Sequence, residues 1–336
     1  MFIRRISNTI HIQAPGKVNL FLDVLQRRSD GYHEIDTVLC PIGLFDELSF
    51  EPTAGKALNL QLDFPERQVV ASVDEQDEAS EPDRAWDIPS DQRNLVLRVV
   101  DQARQRLGIQ SGANIRLVKR IPAAAGLGGG SSNAAAALVA CLTAWHGWDR
   151  ALATSIAADH GSDIPFFLGD ERGIGLCRAT GRGEVCEFFQ EKPHLPLVVL
   201  HPRQGCSTAA IYELFGLQAN DSDAPRKHPK SQKIIDACQN GQAQNVGQWL
   251  FNALQSSAEK HNRWVTIQLN LMRECGARHV VMSGSGSSCF ALVADEHVRK
   301  QIVKRSKQMG IDRAYAVDSC FCPSVESQVD RLASLS

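Results

Sequence analysis

The spacing of apolar positions changes several times along the chain, and each change marks an element. β-type patterning covers Thr9 to Gln13 and Val18 to Leu25, flanking Ala14-Pro-Gly-Lys17, and returns over Leu44 to Phe50. The period then lengthens: Leu95, Val99, Ala103 and Leu107 share one helical face between Asn94 and Leu107, and Gly108 supplies the stop. Ala113 to Arg120 reads as a strand with Ile115 and Leu117 on one face. Helices are predicted over Ser131–Trp145, ending near Gly147, and over Ala151–Asp159, stopped by Gly161 and Pro165. Further along, strands are predicted at Leu195–Leu200, His279–Met282, Cys289–Val293 and Ala314–Val317, and helices at Asn245–Lys260 and Glu296–Met309. The polar run Ala219–Lys233, with Pro225 and Pro229, reads as a long loop. Strands and helices alternate without strict βαβ order and no repeat is visible, so the predicted class is α+β.

Composition narrows the reading. With 336 residues the chain has room for about two domains, and 43% hydrophobic and 22% charged residues suit a globular protein. A net charge of -2 provides no field to recruit nucleic acid or anionic membrane. No apolar run approaches the roughly 20 residues of a membrane span, and Met1-Phe-Ile-Arg-Arg5 lacks the apolar core of a secretory signal. Ten cysteines without CxxC pairs read as reduced thiols, which suits a cytoplasmic protein. Cys320-Phe-Cys322 offers two ligands with no neighbouring set, a weak metal signal. Between Asp74 and Asp91 eight carboxylates face one arginine, so residues 66–92 read as an acidic, solvated surface insertion.

The most specific chemistry lies in Pro122-Ala-Ala-Ala-Gly-Leu-Gly-Gly-Gly-Ser-Ser-Asn133, a glycine loop running into a helix. Glycine permits positive φ, and a helix start presents unpaired N–H groups with the positive end of the dipole. The combination is an anion cradle, suited to phosphate. Ser131 follows Gly130 where a Walker A loop needs lysine, and no HRD or DFG triplet occurs, so this is neither a P-loop nor a protein-kinase pattern.

Three motifs in chain order carry a resemblance: Pro15-Gly-Lys-Val-Asn19, Pro122–Asn133, and Met282-Ser-Gly-Ser-Gly-Ser-Ser-Cys-Phe290. Together they resemble the GHMP kinases, which phosphorylate small alcohols. Asp30-Gly-Tyr-His-Glu34, Gly161-Ser-Asp-Ile-Pro-Phe166 and Gly181-Arg-Gly-Glu184 narrow the resemblance to the branch acting on the 2-hydroxyl of a cytidine-diphosphate-linked methylerythritol in non-mevalonate isoprenoid synthesis. The resemblance implies an N-terminal kinase domain over residues 1–174, a C-terminal α+β domain over 175–336, and an active site in the cleft between them. Gly16 stands where the first motif commonly has alanine.

The same resemblance implies the site. Asp163 would accept the substrate hydroxyl's proton with Lys17 as its charged partner. Taken singly, a turn carboxylate before Pro165 and a solvated loop lysine are equally plain readings; beside the glycine loop they point to catalysis. Pro122, Ala123, Ala124, Ala125, Gly126, Leu127, Gly128, Gly129, Gly130, Ser131 and Ser132 would hold the phosphates of ATP, with Mg2+ bridging phosphate oxygens and no protein ligand for it assigned. Tyr32, His33 and Tyr212 would read a cytosine, with Asn19, Thr208 and Lys119 as polar contacts. Asn94 would approach the adenosine, and Gly284, Ser285 and Gly286 would form a second loop at the site. Alternatives are a kinase for homoserine or mevalonate, or a non-catalytic sensor of the same fold. The partners implied are small molecules, with the enzyme a monomer or homodimer.

Overall fold

The computed structural model describes residues 1–65, 84–145, 147–220 and 230–334. Its first half holds β1 (Phe2–Ile6), β2 (Thr9–Arg27), β3 (His33–Thr53), β4 (Leu58–Asp63), α1 (Leu95–Leu107), β5 (Gly112–Val118), α2 (Gly129–Trp145), α3 (Arg150–His160), α4 (Ile164–Leu168), β6 (Cys177–Thr180) and β7 (Val185–Phe188). The second half holds β8 (Pro196–His201), α5 (Thr208–Asn220), α6 (Gln232–Gln239), β9 (Phe251–Asn252), α7 (Gln255–His261), α8 (Arg263–Glu274), β10 (His279–Met282), β11 (Cys289–Leu292), α9 (Glu296–Gln308), β12 (Arg313–Asp318) and α10 (Val325–Ser334).

The long β2–β3 hairpin is the spine. Early in β2, buried Ile10, Ile12 and Ala14 alternate with more exposed Thr9, His11 and Gln13, the signature of a one-sided sheet. From Ala14 to Val24 every residue is buried, because core lies on both faces. The sheet order is β1-β2-β3-β5-β4, with the β6–β7 pair on β3 and β9 on β2. Against one face lies α2, flanked by α1 and α4. Its alanine run Ala134–Ala137 is buried on all sides, as expected of an apolar helix at the centre of a layer. The second sheet, β10-β11-β8-β12, is antiparallel. Val18, Leu20 and Phe21 of β2 share one core with Leu197, Val199 and Phe290 of that sheet, so the hairpin joins both lobes.

Several elements differ from the sequence reading. The two predicted segments around Ala14–Lys17 are one strand: bulges between Pro15 and Gly16 and between Asn19 and Phe21 replace a break. Asn245–Lys260 is not one helix but a 3-10 turn, Ala243–Trp249, then β9 and α7. The reason is a tertiary contact, since Asn252 donates to the Met282 and Gly284 carbonyls and fixes an extended segment there. Helix α5 reaches Asn220 and α6 begins at Gln232, which shortens the predicted loop; residues 221–229 lie outside the described residues. Pro165 lies in the first turn of α4, where its missing N–H costs nothing. Of the acidic insertion, residues 66–83 lie outside the described residues, whereas Ala85 and Trp86 are buried, with the Trp86 ring packed on Phe64 and under Arg313. The first sheet continues past residue 174 through Phe188, and α10 returns to pack on β1. No helix among the described residues is long and apolar enough to cross a membrane.

Burial also leaves a pH signature. His201, in the second sheet, is buried and pushed down to about 3, first by loss of solvent and then by the Arg313 charge. Its Nδ1 meets Ser288 Oγ at 3.0 Å, at the base of the Ser283–Ser288 loop. In the unfolded chain the imidazole takes a proton near its ordinary 6.5, so the unfolded state binds more protons throughout the window between the two values. Stability is therefore retained above pH 6.5 and lost as pH falls from there toward 3, by at most about 1.4 kcal/mol per pH unit for one group. Urea unfolding of His201→Gln between pH 7 and pH 5 should show a shallower loss than the parent; an equal slope would assign the acid sensitivity elsewhere.

Candidate active site

A cleft of about 1230 Å3 opens between the hairpin, the glycine loop, the start of α4, the β6–β7 turn, α5 and the β10–β11 loop. Its walls include Lys17, Asn19, Tyr32, His33, Ala124, Gly126, Gly128, Ser131, Asp163, Thr208, Tyr212, Gly284 and Ser285. Residues from six separate stretches of the chain thus meet at one surface.

Lys17 is positioned by the bulges of β2, which re-aim side chains next to a functional cleft. Its backbone N–H donates to the Leu127 carbonyl at 2.9 Å, tying the strand to the glycine loop. Lys17 is 3% exposed, and its Nζ lies 3.5 Å from Asp163 Oδ2 while donating to Asn19 Oδ1 at 2.7 Å. Asn19 passes the constraint on, since its Nδ2 donates to Thr37 Oγ1 at 2.8 Å. Asp163 stands at the N-cap of α4 yet makes no side-chain capping bond. Its carboxylate is about one-third exposed and faces the cleft rather than the helix end.

Two of the loop glycines have no substitute. Gly126 has φ +74°, and a Cβ there would lie 2.1 Å from the Ser283 carbonyl oxygen. Gly128 has φ +70°, and its Cβ would fall 2.9 Å from the Phe167 ring and 3.0 Å from Lys17 Cγ. Gly129 and Gly130 are instead the first residues of α2, so only part of the cluster serves backbone reversal. Ser283 locks the two loops together, donating from Oγ to the Gly126 carbonyl at 2.9 Å and accepting from Asn19 N at 3.3 Å. Ser288 N donates to the Ala125 carbonyl at 3.3 Å. Pro122, Ala123, Ala125, Leu127, Gly129, Gly130 and Ser132 do not line the cleft; these residues form the support of the loop rather than its inner surface. Gly286 also lies off the cleft, where a Cβ would be 2.7 Å from Met282 Sδ.

Lys119 is a correction. It is 2% exposed and donates to Asp46 Oδ2 and, at 2.9 Å, to Asn133 Oδ1. Asp46 also accepts the backbone N–H groups of Arg120 at 2.7 Å and Ile121 at 2.9 Å. A buried charge persists only when paired and hydrogen-bonded, and Asp46 meets that condition completely. Lys119 is therefore the buried counter-ion beneath the loop and does not line the cleft. Asn94 is likewise engaged elsewhere: it caps α1 by accepting from Val96 N at 2.9 Å and donates to the Pro89 carbonyl at 2.7 Å.

At the far end of the cleft, the rings of His33 and Tyr212 lie 5.1 Å apart at 33°. Tyr32 is 56% exposed. Burial, with the Arg27 charge adding to it, lowers the His33 pKa, so its imidazole is neutral at neutral pH, with one donor and one acceptor. Burial and the Asp163 charge push the Tyr212 phenol up to about 12, which keeps it a donor. Thr208 Oγ1 and Ser285 Oγ are 2.9 Å apart, bridging α5 and the β10–β11 loop. Sequence reasoning missed Thr37, Asn252 and Asp46, which act through other residues and carry no motif of their own. It quoted Arg182 and Ser283 inside motifs without giving them a role. Among the described residues, no group of three or more His, Cys, Asp or Glu side chains is arranged to hold a metal ion.

Residues 94–170 match the GHMP kinases N terminal domain and residues 234–312 the GHMP kinases C terminal domain. A 4-diphosphocytidyl-2-C-methyl-D-erythritol kinase of Rhodopirellula baltica is 35% identical over 330 residues, covering 92% of this chain and 95% of the relative. The enzyme of the same name from Pelotomaculum thermopropionicum is 37% identical over 313 residues, covering 92% and 97%. The chain belongs to the 4-diphosphocytidyl-2-C-methyl-D-erythritol kinase family of GHMP kinases. A crystal structure of 4-(cytidine 5'-diphospho)-2C-methyl-D-erythritol kinase superposes on this family member with a TM-score of 0.68 at 30% identity, covering 92% of this chain and 98% of that one. The two-lobed α+β architecture is thus the GHMP kinase fold.

The docking of the two loops in this GHMP kinase gives a direct test. Gly126→Ala places a methyl on the Ser283 carbonyl at a positive φ, a strain on the order of 1–3 kcal/mol. The variant should melt lower and bind ATP more weakly than the parent by calorimetry. Unchanged melting and unchanged ATP affinity would show that the loops do not meet there.

Proposed function

We propose that this chain transfers the γ-phosphoryl group of ATP to the 2-hydroxyl of 4-diphosphocytidyl-2-C-methyl-D-erythritol. The observation that carries the reading is the Lys17–Asp163 pair, 3.5 Å apart, in one cleft with the glycine loop and the Tyr32–His33–Tyr212 cluster. Phosphoryl transfer needs positioning and charge stabilisation more than covalent chemistry. Main-chain N–H groups at Ser131 in the first turn of α2 and around Gly126 and Gly128 hold the phosphates. Asp163 accepts the proton of the substrate hydroxyl as its oxygen bonds to phosphorus and the bond to the β-phosphate breaks, releasing ADP. Lys17 supplies positive charge beside that oxygen, and Asn19 fixes the ammonium.

Magnesium fits the same corner. Ser131 presents a hydroxyl to the cleft, and Ser132 Oγ is buried without a partner at the same helix start. The Ser131 hydroxyl, with the nucleotide's own oxygens, would hold Mg2+, which would offset phosphate charge there. At the other end, neutral His33 offers a donor and an acceptor to a cytosine edge, and Tyr32 and Tyr212 offer aromatic faces.

ADP release with purified protein tests the substrate. The cytidylylated methylerythritol should be turned over, whereas its uncytidylylated phosphate, homoserine and mevalonate should not. Preference for an alcohol without cytosine would overturn the substrate while leaving the kinase. Asp163→Asn should lower kcat by about 100-fold or more while the KM for ATP changes little. Parental turnover by the variant would remove Asp163 from the chemistry.

A further inference from the structure

The substrate proposed above carries two phosphates between its cytosine and its reacting hydroxyl, and no residue discussed so far answers them. The glycine loop serves ATP. Three long cationic side chains line the cleft: Lys17, Arg27 and Arg182. Lys17 is committed to Asp163 and Asn19. Arg27 pairs with His33 in the hairpin register, whereas Lys17 pairs with Pro41, so Arg27 flanks the base end of the cleft.

Arg182 occupies the ground between. It stands in the β6–β7 turn, Gly181-Arg182-Gly183, whose glycines have φ +74° and +110°. One end of the turn is tied to the strand of His33: Ile35 N donates to the Gly181 carbonyl at 2.8 Å, and Gly181 N donates to Glu34 Oε1 at 3.0 Å. The other end reaches the catalytic carboxylate, since a Cβ on Gly183 would lie 3.9 Å from Asp163 Oδ1. This turn therefore spans the route from base to hydroxyl.

The Arg182 side chain is also set in place. Its guanidinium lies 4.9 Å from the Tyr32 ring centroid, and its Nε is 3.5 Å from Glu184 Oε1. Glu184 is itself engaged, accepting the Arg182 backbone N–H at its other oxygen. A guanidinium has five donors, and this long ion pair occupies one of them. A planar cation held by a ring and a carboxylate, with its remaining donors free of protein hydrogen bonds among the described residues, matches the oxygen geometry of a phosphate.

We propose that Arg182 binds the diphosphate of the substrate's cytidine diphosphate group and so sets the distance from base to reacting hydroxyl. The proposal rests on the substrate reading given above. Calorimetry with cytidine, CMP and CDP on the parent, Arg182→Gln and Arg182→Lys separates the two. The parent should bind CDP more tightly than cytidine. Arg182→Gln should weaken CDP by about 10–100-fold, the range for hydrogen bonds to charged groups. Cytidine should weaken by less than about threefold, and the KM for ATP should hold. Arg182→Lys, which keeps the charge without the planar fork, should give an intermediate CDP affinity and carries the test if the glutamine variant does not fold. Equal losses for cytidine and CDP would mean that Arg182 only supports Tyr32, and would overturn the proposal. A parent that binds ATP but not CDP would overturn the substrate reading itself.

Discussion

A lysine ammonium that is 3% exposed has lost its water and must be compensated by the protein. In this chain the compensation comes from Asp163, almost 150 residues away, and from Asn19 on the same strand. That requirement organises the cleft. It demands a bulged strand to aim Lys17, a helix start that leaves Asp163 uncapped, and a glycine at position 128 so that the loop can pass within contact of the lysine stem. Remove any one of these and the charge pair loses its geometry.

The phosphate cradle depends on a second buried charge. Asp46 collects Lys119, two backbone N–H groups and Asn133 directly beneath the loop. The network ends β5, turns the chain into the loop and anchors the first turns of α2, all with one carboxylate. On the other side the loop is held by Ser283 and Ser288 from the second lobe. The cradle is therefore gripped from below by one sheet and from the side by the other, which limits how far either lobe can move without disturbing it.

Much of this was legible in the chain because some physics is local. A strand–glycine–helix sequence announces an anion site without reference to anything distant, and β10, β11, α9 and β12 follow from patterning within their own lengths. What stayed hidden is what tertiary contacts decide. Asn252 turns a helical-looking stretch extended by bonding carbonyls thirty residues on. Lys119 reads as a substrate contact at a strand end until the fold brings Asp46 against it. Trp86 looks like part of a polar insertion until Phe64 and Arg313 enclose it. The apolar face of α8, with Val265, Leu269 and Met272 buried, passed without notice because nothing chemical marks it. Asp46 has no motif at all: its meaning lies entirely in the four donors that converge on it.

In the proposed reaction the glycine cradle, the Lys17–Asp163 pair and the aromatic cluster act on one substrate bridging them. A crystal structure with a non-hydrolysable ATP analogue and 4-diphosphocytidyl-2-C-methyl-D-erythritol bound together tests it most directly. The 2-hydroxyl should lie within about 3.2 Å of an Asp163 oxygen, and the γ-phosphorus about 3–3.5 Å from that hydroxyl. Both ligands bound, with the hydroxyl facing another side chain and Asp163 in solvent, would contradict it.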